Sequence, residues 1–121
     1  MIGLGIDAVD IARFSRTLAR SPRMAERVFT DGERQMASQR ADAPAVLAAR
    51  FAVREAVMKA LGVGLGSFDF HDVSVVSSSN GRPSLMVRGR AAELAQQRGV
   101  SNWHVSISHT DDLAVAVVAA E

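Results

Sequence analysis

The chain of 121 residues contains no cysteine and few aromatic side chains. The absence of cysteine excludes disulfide bonds, thiolate metal sites and a cysteine nucleophile, and it fits a cytoplasmic address. Aromatic residues make up 5% and apolar residues 48% of the chain, which predicts an aliphatic core. The length predicts one domain over residues 1–121, too small to enclose a deep pocket easily by itself. We therefore expect a substrate cleft to need a second copy of the chain.

Several signals of other protein classes are also absent. The net charge of +1 argues against a general nucleic-acid binder. The first segment, MIGLGID, has no basic region and meets a charge at Asp7, so it predicts a buried strand and neither a signal peptide nor a membrane span. HExxH, P-loop and convincing Ser-His-Asp patterns are missing. We expect neither a nucleic-acid partner nor a membrane partner.

The hydrophobic pattern predicts an α+β domain with a mainly antiparallel sheet packed on one long helix. Asp10 is placed to cap the first helix, Thr30 and Glu33 form a capping box, and Asn80-Gly81 suits a tight hairpin turn. Pro22 is expected to end or bend the first helix. The predicted helices are 11–21, 31–39, 42–61 and 89–98, and the predicted strands are 1–9, 72–77, 83–88, 103–109 and 113–119.

Arginines recur at three- and four-residue spacing near the start of the chain. The apolar residues Ile11, Phe14 and Leu18 predict the buried face of an amphipathic helix, with arginines on the outward face. This arginine stripe is either an ordinary solvated surface or a docking surface for an acidic partner. Its members are Arg13, Arg16, Arg20, Arg23 and Arg27.

Lysine occurs once, at Lys59, whereas arginine occurs thirteen times. In a helix, which turns by about 100° per residue, Glu55, Lys59 and Gly62 share one narrow stripe. The plain interpretation is an i,i+4 ion pair followed by a helix-ending glycine. The alternative is a functional site, because a compact ammonium acts on phosphate as a point charge, unlike a planar guanidinium.

Asp7 follows an apolar run in a strand that we expect to be central, where an isolated charge is costly to bury. If this strand packs on the long helix, Asp7 and Glu55 can converge. Two carboxylates with open coordination positions suit magnesium completed by water and phosphate oxygens, and Lys59 would hold the same phosphates. The alternatives for Asp7 are a turn or a helix cap.

Four segments in this order resemble the holo-acyl-carrier-protein synthases, the small bacterial group of 4′-phosphopantetheinyl transferases. They are GIDAVDI at 5–11, RFAVREAVMKALGVG at 50–64, GRP at 81–83 and HVSISHT at 104–110. The resemblance implies the phosphopantetheinyl transferase fold. It also implies transfer of the phosphopantetheine arm from coenzyme A to a serine of apo acyl carrier protein, which releases adenosine 3′,5′-bisphosphate and supports fatty acid biosynthesis.

The resemblance further implies roles for individual residues. Asp7 and Glu55 match magnesium ligands, and together with Lys59 they form the catalytic set. The family's small members are homotrimers with active sites between subunits. The arginine stripe, through Arg13, Arg16 and Arg20, would meet acyl carrier protein. The residues implied to contact coenzyme A are Arg50, Met58, Gly62, Pro83, His109 and Thr110.

Two positions depart from the family pattern. Arg54 stands where lysine is common, which keeps the charge, and Val63 stands where threonine is common, which removes a hydroxyl. Neither change removes an implied metal ligand. Two other functions fit the same residues: a magnesium-dependent nucleotide hydrolase, and a non-enzymatic oligomeric module that binds an acidic protein and uses Asp7, Glu55 and Lys59 as an internal ion-pair network.

Overall fold

The computed structural model describes residues 1–121 and contains five strands and five α-helices. The strands pair only in antiparallel fashion and form two sheets, one with the order β1-β5-β4 and one with the order β2-β3. The predicted α+β class is confirmed. The elements in chain order are β1 (Gly3–Asp10), α1 (Ile11–Arg20), α2 (Pro22–Val28), α3 (Asp31–Ser38), α4 (Ala43–Leu61), β2 (Val73–Ser77), β3 (Pro83–Val87), α5 (Gly89–Gln97), β4 (Trp103–His109) and β5 (Leu113–Ala120).

The position of β1 differs from the prediction. β1 is an edge strand, because β5 lies between it and β4. Register pairs Asp7 with Ala116 of β5 on one side only. The burial that the apolar sequence of β1 suggested comes from α4, against which the strand packs. Asp7 is consequently half-buried, with its side chain 18% exposed.

Helix ends follow the predicted local signals at most positions. Asp10 Oδ1 accepts a hydrogen bond from the Arg13 amide at 2.8 Å, so the capping role of Asp10 is confirmed. The capping box of Thr30 and Glu33 is also present. Asp42 is different, because its side chain makes no cap hydrogen bond and instead accepts two bonds from Arg40.

One helix was not predicted. Pro22 ends α1, as expected, but it also begins α2, which runs to Val28. Proline is favoured in the first turn of a helix because its fixed φ suits that position and its missing amide is not needed there. The segment after Pro22 is therefore a short helix rather than a loop.

The close contact between β1 and α4 depends on two glycines. A Cβ atom added to Gly3 would lie 1.8 Å from the Ala60 carbonyl oxygen, and one added to Gly5 would lie 1.9 Å from that of Ala56. No side chain fits in that space, since real Cβ contacts under 3.0 Å are essentially never seen. The strand backbone therefore lies directly on the helix backbone, and this brings Asp7 close to Glu55 and Lys59 of α4.

A buried ion pair ties α3 to α4. Arg54 is 0% exposed and Glu33 is 4% exposed. Arg54 Nη2 donates to Glu33 Oε1 at 2.5 Å, and Arg54 Nε donates to the Phe70 carbonyl at 2.9 Å. The guanidinium also lies 5.2 Å from the centre of the Phe29 ring. The charge of Arg54 is thus satisfied inside the protein and serves the fold.

The two faces of the three-stranded sheet are very different. On the inner face, Ala114, Ala116 and Val118 of β5 are fully buried. On the outer face, Leu4 is 61% and Ile6 is 58% exposed. An apolar sheet face is thus left uncovered within the single chain. None of the helices is both long and apolar enough to cross a membrane.

Candidate active site

The lone lysine reaches across from α4 to the edge of β1. Lys59 Nζ donates to the Ile6 carbonyl oxygen at 2.8 Å and to Asp7 Oδ1 at 3.2 Å. Lys59 lies in the last turn of α4, where the helix dipole favours a positive charge. No ion pair within 4.0 Å joins Lys59 to Glu55, so the simple i,i+4 pair is not the arrangement that the chain adopts. The lysine instead links the helix to the strand.

Glu55 lies beside this pair, half-buried on the same face of α4. Burial and the negative charge of Asp7 raise the pKa of Glu55, and the positive charge of Lys59 acts in the opposite direction. The folded state therefore favours the protonated carboxyl. The stability that this group contributes is present below its unfolded pKa and is lost as the pH rises through the raised folded pKa. The ionised form of Glu55 is therefore disfavoured by folding.

Glu55 separates two open clefts. The first, of about 420 Å³, is lined by Asp7, Asp10, Arg13 and Phe14 among others. The second, of about 350 Å³, is lined mainly by apolar residues. Glu55, Met24 and Phe51 line both. The second cleft is also lined by Arg27, a member of the arginine stripe. The sequence analysis did not single out its remaining lining residues, which are Ser21, Val28, Leu65 and Phe70.

The arginine stripe begins at the first cleft. Arg13 lines this cleft together with Asp7 and Glu55. Arg16 and Arg20 follow on the exposed face of α1, while Ile11 and Phe14 are buried on the other face. The predicted amphipathic helix is confirmed. A surface of positive charge thus starts within the carboxylate cleft and runs outward along α1.

Arg50 lies away from Asp7, Glu55 and Lys59. Its side chain is 12% exposed, and its Nε lies 4.0 Å from Glu33 Oε2. The Nε atom is buried without a hydrogen-bond partner. Burial lowers the pKa of Arg50, and the charges of Arg40 and Arg54 add to this while Glu33 opposes it. Arg50 lines a separate cleft of about 320 Å³, and its guanidinium has an unused hydrogen-bond donor.

The other residues assigned to coenzyme A are dispersed within one chain. His109 and Thr110 are exposed at the end of β4, and the Thr110 hydroxyl accepts bonds from the amides of Asp112 and Leu113. Pro83 begins β3 and lines a fourth cleft. Gly62 ends α4 in the left-handed conformation, at φ 69°. None of these four lines either cleft at Glu55.

Met58 differs from its predicted place at a binding surface. It is 2% exposed and packs in the main hydrophobic cluster. The reason is its position on α4, one residue before Lys59 and therefore on a neighbouring face that points into the core. In this chain the Met58 side chain fills the interior.

Sequence reasoning identified Glu33 only as part of a capping box. The structure gives it a second role, since the same carboxylate pairs with Arg54 and accepts a bond from the Val75 amide at 3.4 Å. Burial alone raises the pKa of Glu33, but the hydrogen bonds and charge of Arg54, with help from Thr30 and Val75, lower it overall. No local pattern joins residues 33 and 54.

Comparison with known proteins decides the family. The model of the 4′-phosphopantetheinyl transferase superfamily matches residues 3–118. The chain belongs to this superfamily. A holo-[acyl-carrier-protein] synthase from Salinispora arenicola is 47% identical over 121 residues, which cover all of this chain and 98% of that protein. The family resemblance read from the sequence is confirmed, and with it the classification of this chain as a transferase enzyme.

Solved structures of the same family share the fold. The crystal structure of holo-[acyl-carrier-protein] synthase from Neisseria meningitidis superimposes with a TM-score of 0.90 at 28% identity, covering 100% of this chain and 98% of that chain. The Helicobacter pylori enzyme, solved in complex with coenzyme A, gives a TM-score of 0.84 at 29% identity, covering 98% and 99%. The transferase fold therefore extends over essentially the whole chain.

Proposed function

We propose that the protein transfers the phosphopantetheine arm of coenzyme A to a serine of apo acyl carrier protein, depends on magnesium and serves fatty acid biosynthesis. The observation that carries this proposal is the convergence of Asp7, Glu55 and Lys59 at the junction of β1 and α4. The names of the relatives support it. So does the complex of the Helicobacter pylori enzyme with coenzyme A.

The donor set at the junction fits magnesium. Asp7 and Glu55 line one cleft, and their mutual repulsion contributes to the raised pKa of Glu55, which a bound cation would relieve. The chain offers no cluster of three or more acidic, histidine or cysteine ligands. Magnesium commonly keeps several waters and is bound by one or two carboxylates plus substrate phosphates. When bound, it supplies a positive charge that polarises the diphosphate and its leaving group.

The residues of the chain divide the work of the transfer. Asp7 and Glu55 hold the metal, and the Lys59 ammonium binds a phosphate oxygen and balances charge that develops there. The serine proton passes to Glu55 directly, or to a water molecule held by Asp7 or Glu55. Arg13 lies in the same cleft, so a carrier protein docked on α1 would present its serine close to these groups.

We further propose that the active enzyme is a homotrimer with coenzyme A bound between subunits. Within one chain, Arg50, Pro83, His109 and Thr110 do not line the clefts at Glu55, so a neighbouring copy is needed to bring such residues to them. The uncovered face with Leu4 and Ile6 is a suitable contact for that copy. Light scattering should give three times the chain mass of 12.9 kDa. A monomer at working concentration would contradict this assembly.

The transfer is tested by mass spectrometry of apo acyl carrier protein incubated with the enzyme, coenzyme A and magnesium. The expected result is a mass gain of one phosphopantetheine arm, which disappears when a chelator removes the metal. A folded enzyme that modifies none of several carrier proteins would refute the transferase function. Release of nucleotide without carrier modification would support the hydrolase instead, and binding of the carrier with no reaction would support the docking module.

A further inference from the structure

We infer that Lys59 is an exchangeable cation: it neutralises Asp7 until metal binds, and then moves to the phosphate of the substrate. This inference rests on the proposed metal site of Asp7 and Glu55. It adds a role for Lys59 that precedes phosphate binding. In this role the lysine couples metal affinity to coenzyme A binding, because the metal displaces its ammonium from Asp7 and the phosphate of coenzyme A then binds it.

The geometry places the ammonium against a metal-binding oxygen. Lys59 Nζ lies 3.2 Å from Asp7 Oδ1, and it donates a second bond to the Ile6 carbonyl at 2.8 Å at the strand edge. A metal on the same carboxylate would put two or more positive charges within a few ångströms of each other. Lysine and metal therefore compete for Asp7, and a metal that binds alone must overcome this competition.

The lysine is free to move. Its side chain is 56% exposed, and its only polar contacts are the two at the edge of β1. Arg54, in contrast, is fully buried and held by bonds to Glu33 and to the Phe70 carbonyl. A phosphate oxygen brought to the cleft by coenzyme A offers Lys59 a new partner on the solvent side. The ammonium can transfer to it with only a change of side-chain rotamer.

This exchange predicts the order of affinities. Metal alone should bind weakly, since it displaces Lys59 into solvent. Metal and coenzyme A together should bind more tightly than the product of the separate affinities, because the phosphate accepts the displaced lysine. Direct contact between metal and phosphate adds to this coupling, but it operates without the lysine as well.

The test measures binding of Mn²⁺ alone, by electron paramagnetic resonance, titrated into the millimolar range on the full chain. Lys59→Met should bind Mn²⁺ roughly three- to tenfold more tightly than the unaltered protein, the size expected for removal of one partly screened charge. Arg98→Met is the matched control, because Arg98 is exposed, lies outside both clefts and carries the same charge. It should leave Mn²⁺ affinity unchanged.

Addition of coenzyme A separates the two sources of coupling. The gain in Mn²⁺ affinity on adding coenzyme A should be larger for the unaltered protein than for Lys59→Met, since only the former has a lysine to relocate. Equal gains in both proteins, or Mn²⁺ binding by Lys59→Met that is no tighter than normal, would overturn the exchange.

Asp7→Asn distinguishes failure of this inference from failure of the proposed site. If Asp7→Asn weakens Mn²⁺ binding while Lys59→Met does not tighten it, the metal site stands and the exchange is wrong. If Asp7→Asn has no effect, or if no protein binds Mn²⁺ at millimolar concentration, both the metal site and the exchange are wrong. Circular dichroism of each variant checks that the fold is retained.

Discussion

Replacing Gly5 with alanine tests how the site is assembled. The added Cβ would lie 1.9 Å from the Ala56 carbonyl oxygen and 2.9 Å from the Ala60 amide nitrogen. Ordinary contact begins at 3.4 Å, so β1 must move away from α4 by about 1.5 Å, and both obstacles are backbone atoms that cannot rotate aside. Overpacking of this kind costs about 1–3 kcal/mol of the free energy of unfolding.

The same displacement should reduce activity by more than the loss of stability explains. Moving β1 separates the Ile6 carbonyl and Asp7 from Lys59, whose bonds to them are 2.8 and 3.2 Å long. A misplacement of about 1 Å at a reacting centre can cost about 100-fold in rate. We expect Gly5→Ala to fold at low temperature yet lose about that factor in transfer rate.

The assay is urea denaturation together with transfer to apo acyl carrier protein at a temperature where each variant is fully folded. Gly32→Ala is the matched control, because a Cβ at Gly32 meets nothing within 4 Å and the residue lies in α3. Alanine there should stabilise the protein by about 0.5–1 kcal/mol. If Gly5→Ala matched Gly32→Ala in stability and rate, the close approach of β1 to α4 would not position the site.

Three further predictions follow from charges. Glu55→Gln should raise the stability of the metal-free protein at pH values where Glu55 is ionised, with the gain vanishing in acid, and should abolish transfer. Thermal denaturation across a pH series checks this, and a loss of stability would contradict the raised pKa of Glu55. Arg54→Met should lower the free energy of unfolding, measured by urea denaturation, by about 3–5 kcal/mol, because it leaves Glu33 buried and unpaired. Glu93→Ala, which breaks the exposed pair with Arg90, should lower it by only about 0–1 kcal/mol, and similar losses in both variants would argue that burial does not set the cost. Arg13→Glu with Arg16→Glu should weaken carrier-protein binding, measured by calorimetry, more than coenzyme A binding, whereas equal losses would exclude docking on α1.

Local chemistry explains what the sequence could predict. Helix caps such as Asp10 and the Thr30–Glu33 box depend on residues three apart, and the predicted bonds are present. The prediction that Asp7 and Glu55 converge needed one further assumption, that β1 packs on the long helix. That assumption holds because Gly3 and Gly5 leave room for the helix backbone. The metal-ligand roles of the two carboxylates stay predictions.

Features that depend on distant pairing could not be predicted in this way. β1 was predicted to be a central strand because its sequence is apolar. An edge strand with exposed apolar side chains, such as that of Leu4, has the same sequence pattern, so the sequence does not distinguish the two positions. The pair of Glu33 and Arg54 joins residues 21 apart, and Glu33 already had a local explanation in the capping box. Met58 was assigned to coenzyme A from the motif. In the structure Met58 faces the core, whereas the next residue, Lys59, faces solvent.

Arg54 and Glu55 of α4 have opposite electrostatic surroundings. These adjacent residues point about 100° apart, so one enters the interior and the other faces the clefts. Arg54 has a charged partner at 2.5 Å and contributes stability through a satisfied pair. Glu55 has the like charge of Asp7 nearby, so ionisation of Glu55 lowers the stability of the protein. Neutralising the two residues is therefore expected to change stability in opposite directions, because one change removes an attractive buried pair and the other removes a carboxylate that burial and a like charge disfavour.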